Sequence, residues 1–243
     1  MSMLEVEGVC KAFGGIRALD GCSLAVEEGS ITGLIGPNGS GKTTLFNVMT
    51  GYERLDAGEV RFQGRRITNS APDRVFALGI GRTFQLTRIF PRLTVIENMH
   101  VAVQRKGHNP FLRRWSTSEE QRRALELLEF VGIAQTRDMP AGTLSYGQKK
   151  LLEFAYILIA EPRVILLDEP AGGINPTIIT YLEQRIRALN EHGITFLVVE
   201  HNMEFVMRLC QTVMVLHQGV KVAEGPPEQV RKDPVVLEAY LGY

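Results

Sequence analysis

The stretch ITGLIGPNGSGKTT, Ile31 to Thr44, decides the fold. Ile31–Ile35 is an apolar run of strand length. It enters the loop Gly36, Pro37, Asn38, Gly39, Ser40, Gly41, Lys42 and Thr43, which fits G-x-x-x-x-G-K-[ST] at every position. Glycines let the backbone take turns closed to residues with a Cβ and approach an anion closely. Successive N–H groups can then point inward as an anion nest. A helix is expected from about Lys42 to Thr50, and its N-terminal end, including Thr44, adds positive potential. In such a loop Lys42 reaches the β- and γ-phosphates of a nucleoside triphosphate, and the Thr43 hydroxyl ligates Mg²⁺.

A loop of this kind needs a metal carboxylate on a neighbouring strand. Val164-Ile-Leu-Leu-Asp168-Glu169 supplies one: four apolar residues, as in a parallel strand buried on both faces, with two acids at its carboxyl end. Asp168 is the expected Mg²⁺ carboxylate. Glu169 is the expected general base that polarises the attacking water.

The rest of the chain falls around these two motifs. Met3–Val9 and Cys22–Val26 read as strands, and Val60–Phe62 with Arg66–Ile67 as a hairpin around Gly64. Helices are expected over Ser116–Gly132, with Ser118 as its cap, and over Gln148–Ala160. Pro176–Glu191 and Met203–Cys210 read as helices, Thr195–Val199 as a second buried strand, and Val213–Leu216 with Val220–Ala223 as a hairpin. A single closing helix is expected over Pro226–Tyr243. Strand–helix alternation of this kind implies an α/β chain with a largely parallel sheet.

Composition excludes several function classes. Lys plus Arg and Asp plus Glu number 27 each, so no overall basic field argues for nucleic acid. Arg113, Arg114, Arg122 and Arg123 form a local basic group that reads as a patch or as a solvated face. Cys10, Cys22 and Cys210 lack metal-ligand spacing and read as small core residues, which fits a reducing compartment. No apolar run nears the ~20 residues that span a bilayer, and the start of the chain has no signal stretch, so any membrane role comes through partners.

Five further landmarks carry a resemblance. Leu144-Ser-Tyr-Gly-Gln148 resembles LSGGQ, the signature of ABC transporter ATPases. Gln85 in Arg82-Thr-Phe-Gln85 is similar to their Q-loop glutamine. His201 in Val199-Glu-His-Asn is similar to their switch histidine, and Phe13 to the aromatic that stacks on adenine. Asp168-Glu-Pro-Ala-Gly-Gly-Ile-Asn175 continues into their D-loop. The resemblance implies a P-loop NTPase core with a mainly parallel sheet, an N-terminal antiparallel β subdomain and a helical subdomain. Residues 1–243 would form one ABC ATPase domain, with 1–86 and 161–243 as the RecA-like core plus β subdomain. Residues 87–160 would be the helical part.

It also implies chemistry. His201 would hold the γ-phosphate and attacking water, and Gln85 would ligate Mg²⁺. Ser145, Tyr146, Gly147 and Gln148 would face the ATP bound by a second ATPase subunit, in a homo- or heterodimer. Three departures stand out: Tyr146 replaces a signature glycine, Asn175 replaces the usual D-loop aspartate, and Gly172-Gly173 loosens the same loop. Tyr146 and Asn175 could make the two ATP sites of a heterodimer unequal.

The run Gly79-Ile-Gly-Arg-Thr-Phe-Gln85, then Arg88 to Asn98, and the closing Ala239-Tyr-Leu-Gly242, resemble the larger ATPase of branched-chain amino acid importers. Two transmembrane permeases, an external solute-binding protein and a place at the cytoplasmic membrane face are then implied, with ATP and Mg²⁺ as cofactors and no nucleic acid. ATPases of urea or amide importers, lipopolysaccharide exporters and soluble ABC ATPases are the alternatives. Leu86, Ile89, Phe90, Leu93 and Val95, within the apolar segment Leu86–Val103, read either as core or as a groove for a short permease helix.

Overall fold

The apolar strand before the phosphate loop sits in the middle of a six-stranded sheet, where both of its faces are covered. The computed structural model describes residues 1–85, 87–102 and 117–241. Arg113, Arg114, Leu86, Val103, Ser116 and the final Gly242-Tyr243 lie outside the described residues.

The strands are β1 (Ser2–Phe13), β2 (Ile16–Glu27), β3 (Ile31–Ile35), β4 (Ala57–Phe62), β5 (Arg65–Arg66), β6 (Ile80–Arg82), β7 (Val164–Asp168), β8 (Thr195–Val199), β9 (Thr212–His217) and β10 (Val220–Gly225). They form an antiparallel sheet, β2-β1-β4-β5, and a second sheet, β10-β9-β3-β8-β7-β6, whose members are parallel except for the β9–β10 hairpin. The expected first strand is longer than Met3–Val9, because Gly14-Gly15 closes a long hairpin with β2.

Alternation along the central strands divides the core in two. Leu34, Val164, Leu166, Leu197, Val199, Met214 and Leu216 face the antiparallel sheet and helix α1 (Lys42–Met49). Ile31, Ile35, Ile165, Leu167, Phe196, Val198, Val213 and Val215 face the other way, onto a helical layer. That layer includes α3 (Val95–Ala102), α4 (Ser118–Phe130) and α5 (Tyr146–Leu158), all between β6 and β7 in the chain; α2 (Pro72–Ala77) precedes β6. The later helices are α6 (Pro176–Glu191), α7 (Met203–Leu209), α8 (Pro227–Val230) and α9 (Pro234–Leu241). Among the described residues no helix is long and apolar enough to cross a membrane. Burial pushes the thiols of Cys22 and Cys210 up to about 11 and about 12, as expected of inert core cysteines.

Four expectations need correction. Thr117, not Ser118, caps α4: its hydroxyl accepts from Glu120 N while the Glu120 carboxylate accepts from Thr117 N. Helix α5 runs two residues earlier than expected at both ends, because Ser145 and Gln148 form the same reciprocal cap at its start. The closing helix is two short helices, since Pro234 has no N–H to continue the turn of α8. The carboxylate strand β7 is not next to β3, because β8 lies between them.

One side chain ties the helical layer to the segment after β6. Glu153 of α5 is buried, and its Oε1 accepts from Phe84 N at 3.2 Å and Arg88 N at 3.3 Å, so a single carboxylate brackets Gln85. Its Oε2 has no hydrogen-bond partner among the described residues. Burial pushes the carboxyl from 4.5 up to about 7, against the backbone donors of Arg88 and Phe84 and the charges of Lys150 and Arg88.

A raised folded-state carboxyl pKa means that the folded chain holds the proton longer than the unfolded one. Stability from this group is therefore lost as pH rises from about 4.5 to about 7. Glu153→Gln keeps an acceptor for both amides and removes the charge. Its stability relative to the parent should be greater at pH 8 than at pH 5 by ~2 kcal/mol, at ~1.4 kcal/mol per pKa unit, as read by urea unfolding at the two pH values.

Candidate functional site

The phosphate loop is wedged between two backbones. A Cβ on Gly36 would meet the carbonyl oxygen of Leu216 in β9 at 2.1 Å, and one on Gly41 would meet that of Ala18 in β2 at 2.4 Å. Backbone cannot step aside as a flexible side chain can, so these two positions need glycine. The turn after β9 closes the arrangement: Gly219 N donates to Ser40 O, and Asp20 N donates to Gly219 O.

Inside the loop lies Lys42. Its ammonium donates to the carbonyl oxygens of Gly36 at 2.8 Å and Pro37 at 2.9 Å, and to Ser40 Oγ at 3.3 Å. Burial draws its pKa down, and the charges of Glu169 and Asp168 oppose the shift, so all three belong to one electrostatic neighbourhood. Thr43 and Thr44 occupy the first turn of α1, with Thr43 exposed. Pro37 is half-buried, while Asn38 and Gly39 are exposed on the outer rim.

Asp168 ends β7 on the face toward α1, and Arg82 ends β6 on the same face. Their ion pair is buried: Arg82 Nη2 lies 3.0 Å from Asp168 Oδ2, and both side chains are 6% exposed. Arg82 Nη1 donates to Asn47 Oδ1 and Thr50 Oγ1 of α1. Thr83 Oγ1 accepts from Asp168 N.

Glu169 has both carboxylate oxygens engaged. Gln85 Nε2 donates to Oε2 at 3.0 Å, and the His201 ring nitrogen Nε2 lies 2.8 Å from Oε1. The backbone there takes φ 49°, a left-handed value unusual outside glycine. Two bonds hold it: Glu169 N donates to Val199 O, and the buried Lys150 ammonium donates to Glu169 O at 3.0 Å. The structure thus brings together Gln85, Glu169 and His201, which lie far apart in sequence.

The signature residues form a separate end of the site. Ser145 caps α5, and Gly147 is packed so closely on α6 that an added Cβ would meet Ile178 Cδ1 at 2.4 Å. Tyr146 is exposed, but its hydroxyl donates to Gln85 O at 3.3 Å. Gly173 takes φ 70°, and a Cβ there would sit 3.4 Å from the Tyr146 ring. That is ordinary van der Waals contact, so it is the left-handed backbone at Gly173, not crowding by the tyrosine, that favours glycine there. Asn175 caps α6 through Thr177 N, a task asparagine and aspartate perform equally. Phe13 stands exposed at the tip of the β1–β2 hairpin, with the Lys11 ammonium 4.9 Å from its ring centre.

Three contributors were not singled out from the sequence: Arg82, Lys150 and Glu200. Glu200 is buried, and its carboxylate accepts from Ala171 N, His201 N and Asn202 N, pinning the loops that carry Glu169 and His201. Its adjacency to His201 was the only available signal.

A metal fits this set in one way. Among the described residues no group of three His, Cys, Asp or Glu side chains could hold an ion by themselves. Thr43, Gln85 and Asp168 instead offer three different hard oxygens, and Arg82 occupies only Oδ2 of the carboxylate. One carboxylate supplemented by neutral oxygens and phosphate suits Mg²⁺ better than a self-sufficient cage would.

A cavity of about 350 Å³ lies on the far side of Arg82, lined by Tyr52, Phe76, Phe84, Arg88, Phe90 and Tyr156 among others. The apolar segment after Gln85 divides between core and surface. Val95 is in the core, Ile89 packs against it, Leu93 is half-buried, and Phe90 is 47% exposed on the cavity wall.

Comparison with known proteins agrees with this geometry. The ABC transporter family model matches residues 19–172, and a model described as branched-chain amino acid ATP-binding cassette transporter matches residues 220–243. A high-affinity branched-chain amino acid transport ATP-binding protein, BraF of Pseudomonas aeruginosa, is 40% identical over 99% of this chain and 98% of its own. A probable branched-chain amino acid transport ATP-binding protein, LivG of Archaeoglobus fulgidus, is 38% identical over 100% of this chain and 96% of its own. A nucleotide-free ATP-binding cassette from an ABC transporter superposes with a TM-score of 0.90 at 37% identity, covering 100% of both chains. A dimeric bacterial ABC transporter cassette gives 0.81 at 27% identity over 93% of this chain and 99% of that one. The phosphate loop, the carboxylate strand and the full-length similarity lead to one conclusion: the chain belongs to the ATP-binding cassette family of ABC transporters.

Proposed function

We propose that this chain is the ATP-hydrolysing cassette of an importer for branched-chain or related amino acids, and one arm of a two-cassette clamp. The observation that carries the reading is the bracket around Glu169. One carboxylate with Gln85 on one oxygen and His201 on the other is placed to take a proton from water. The names of the two relatives described above supply the solute class.

Each arm supplies half of two sites. The loop Gly36–Thr43 cradles the phosphates of its own ATP, with Lys42 exchanging loop carbonyls for phosphate oxygens. Phe13 takes the adenine face, and its flanking Lys11 keeps a positive charge beside the base. Mg²⁺, held by Thr43, Asp168 and the amide oxygen of Gln85, would neutralise charge on the β- and γ-phosphates. His201 orients the attacking water, and Glu169 accepts its proton. Ser145, Tyr146, Gly147 and Gln148 close over the ATP of the second cassette, where the α5 N-terminus favours anions.

Because Tyr146 touches Gln85 and Gln85 touches Glu169, the end of the chain that reads the partner's ATP is bonded to this chain's own base. The layer of α3, α4 and α5 turns with Gln85, and Glu153 is the strut that carries the movement. The cavity beside Phe90 receives a short cytoplasmic helix of a permease, which places the cassette at the cytoplasmic membrane face. The external solute-binding protein acts on the permeases from the other side.

Two tests follow from these roles. Glu169→Gln and His201→Ala should each lower steady-state ATP hydrolysis by at least about 100-fold while nucleotide affinity stays within a few-fold. Hydrolysis at the parental rate in Glu169→Gln would reject the assignment of the base. In a reconstituted transporter, Phe90→Asp should abolish uptake and spare ATP hydrolysis by the isolated cassette. Uptake unchanged would reject the groove.

A further inference from the structure

Arg82 is a buried, ion-paired cation beside the site, and the hydrolytic roles above give it nothing to do. Its planar cation has three kinds of neighbour: an acid, two neutral polar side chains and aromatic rings. One edge meets Asp168 Oδ2 through Nη2, and the opposite nitrogen meets Asn47 and Thr50 of the helix that begins at the phosphate loop. Its face lies against Phe84, Phe46 and Tyr52 at 4.9, 5.5 and 5.8 Å from the ring centres. Tyr52 and Phe84 meet edge to face, and the Arg88 guanidinium stacks 3.7 Å from the Phe84 ring centre. Among the described residues Arg82 Nε is buried without a partner, so three hydrogen bonds from the two Nη nitrogens and the aromatic walls fix the group.

A guanidinium cannot lose its charge under working conditions and gives two parallel donors on a rigid fork. Held 3.0 Å from a carboxylate oxygen and buried with it, it neutralises Asp168 without help from any ion. A divalent cation at the same carboxylate must then share it with a fixed positive charge, and like charges in a poorly screened site repel strongly.

From this arrangement we infer that Arg82 is a resident counter-charge that competes with Mg²⁺ for Asp168 and so keeps the metal loosely held. The inference rests on the reading of Asp168 as the Mg²⁺ carboxylate. Its consequence lies at the end of the cycle. Once the γ-phosphate has left, fewer nucleotide oxygens would hold the cation, and a carboxylate already paired with Arg82 would add little to its retention. Arg82 thereby favours release of Mg²⁺ and ADP while its own ion pair with Asp168 stays in place. It acts through Asp168 and is a positioning residue, not a catalytic one.

The test compares ADP affinity with and without Mg²⁺ by calorimetry on the full chain, for the parent, Asp168→Asn, R82Q and R82K. R82Q keeps an N–H donor for Oδ2 and removes the charge; R82K keeps the charge. The parent should show a modest strengthening of ADP binding by Mg²⁺, and Asp168→Asn should reduce it. R82Q should bind metal-free ADP like the parent but gain at least about tenfold in the Mg²⁺-dependent part, with slower ADP release. R82K should stay within a few-fold of the parent. A purely structural role for Arg82 predicts weaker binding with or without the metal.

An R82Q protein whose Mg²⁺ dependence is unchanged or weakened overturns the inference. So does R82K with a gain as large as that expected of R82Q, which keeps the test decisive should R82Q not fold. If Asp168→Asn leaves the Mg²⁺ dependence of the parent intact, the metal assignment in the proposed function fails first, and the inference falls with it.

Discussion

The architecture depends on how the chain accommodates the Lys42 ammonium. A buried cation must be satisfied before any ligand arrives, and here the loop that precedes it curls so that two of its carbonyls do so. That curl is possible only where Gly36 and Gly41 pass closer to the backbones of β9 and β2 than a Cβ would allow. The β9–β10 turn and β2 are packed against this loop, with Gly219 N donating to Ser40 O. In the proposed function, Lys42 would trade these carbonyl oxygens for phosphate oxygens.

The two acids at the end of β7 are stored in different ways. Asp168, on the face toward α1, is neutralised by a buried arginine. Glu169, the next residue, sits above the sheet edge in a left-handed backbone conformation held by Lys150 and Val199. Its side chain bonds to one residue from the helical side, Gln85, and one from β8, His201. A parallel sheet with β8 between β3 and β7 makes this possible, because the intervening strand delivers His201 and the buried Glu200 beside Glu169. Glu153 and Tyr146 then connect Gln85 to α5, so the nucleotide side and the helical layer meet at one glutamine.

Much of this was legible in the residues. Val164–Leu167, Thr195–Val199 and Pro176–Glu191 form the elements their apolar runs and periodicity predict, because strands buried on both faces and a proline-started amphipathic helix have distinct patterns. The phosphate loop and the acid pair were recognisable because their chemistry demands fixed spacing. What stayed hidden depends on tertiary parity. Arg82 and Asp168 meet because both end parallel strands on the same face, which needs the β6–β7 register. Lys150 and Glu200 read as ordinary charged residues, and only burial shows that their charges are spent on backbone groups. Helix ends at Thr117, Ser145 and Pro234 were displaced by one to several residues, where reciprocal caps or a missing N–H outweighed the apolar pattern.

The central claim is that the loop at Gly36–Thr43 is half a site, completed by residues equivalent to Ser145–Gln148 of another cassette. The most direct measurement is the sedimentation of Glu169→Gln, alone and mixed with its companion cassette, with and without ATP. The account predicts cassette monomers without nucleotide and a stable dimer holding two ATP molecules with it, lost when Ser145 is replaced by arginine. A cassette that binds ATP tightly and stays monomeric in both mixtures would contradict it.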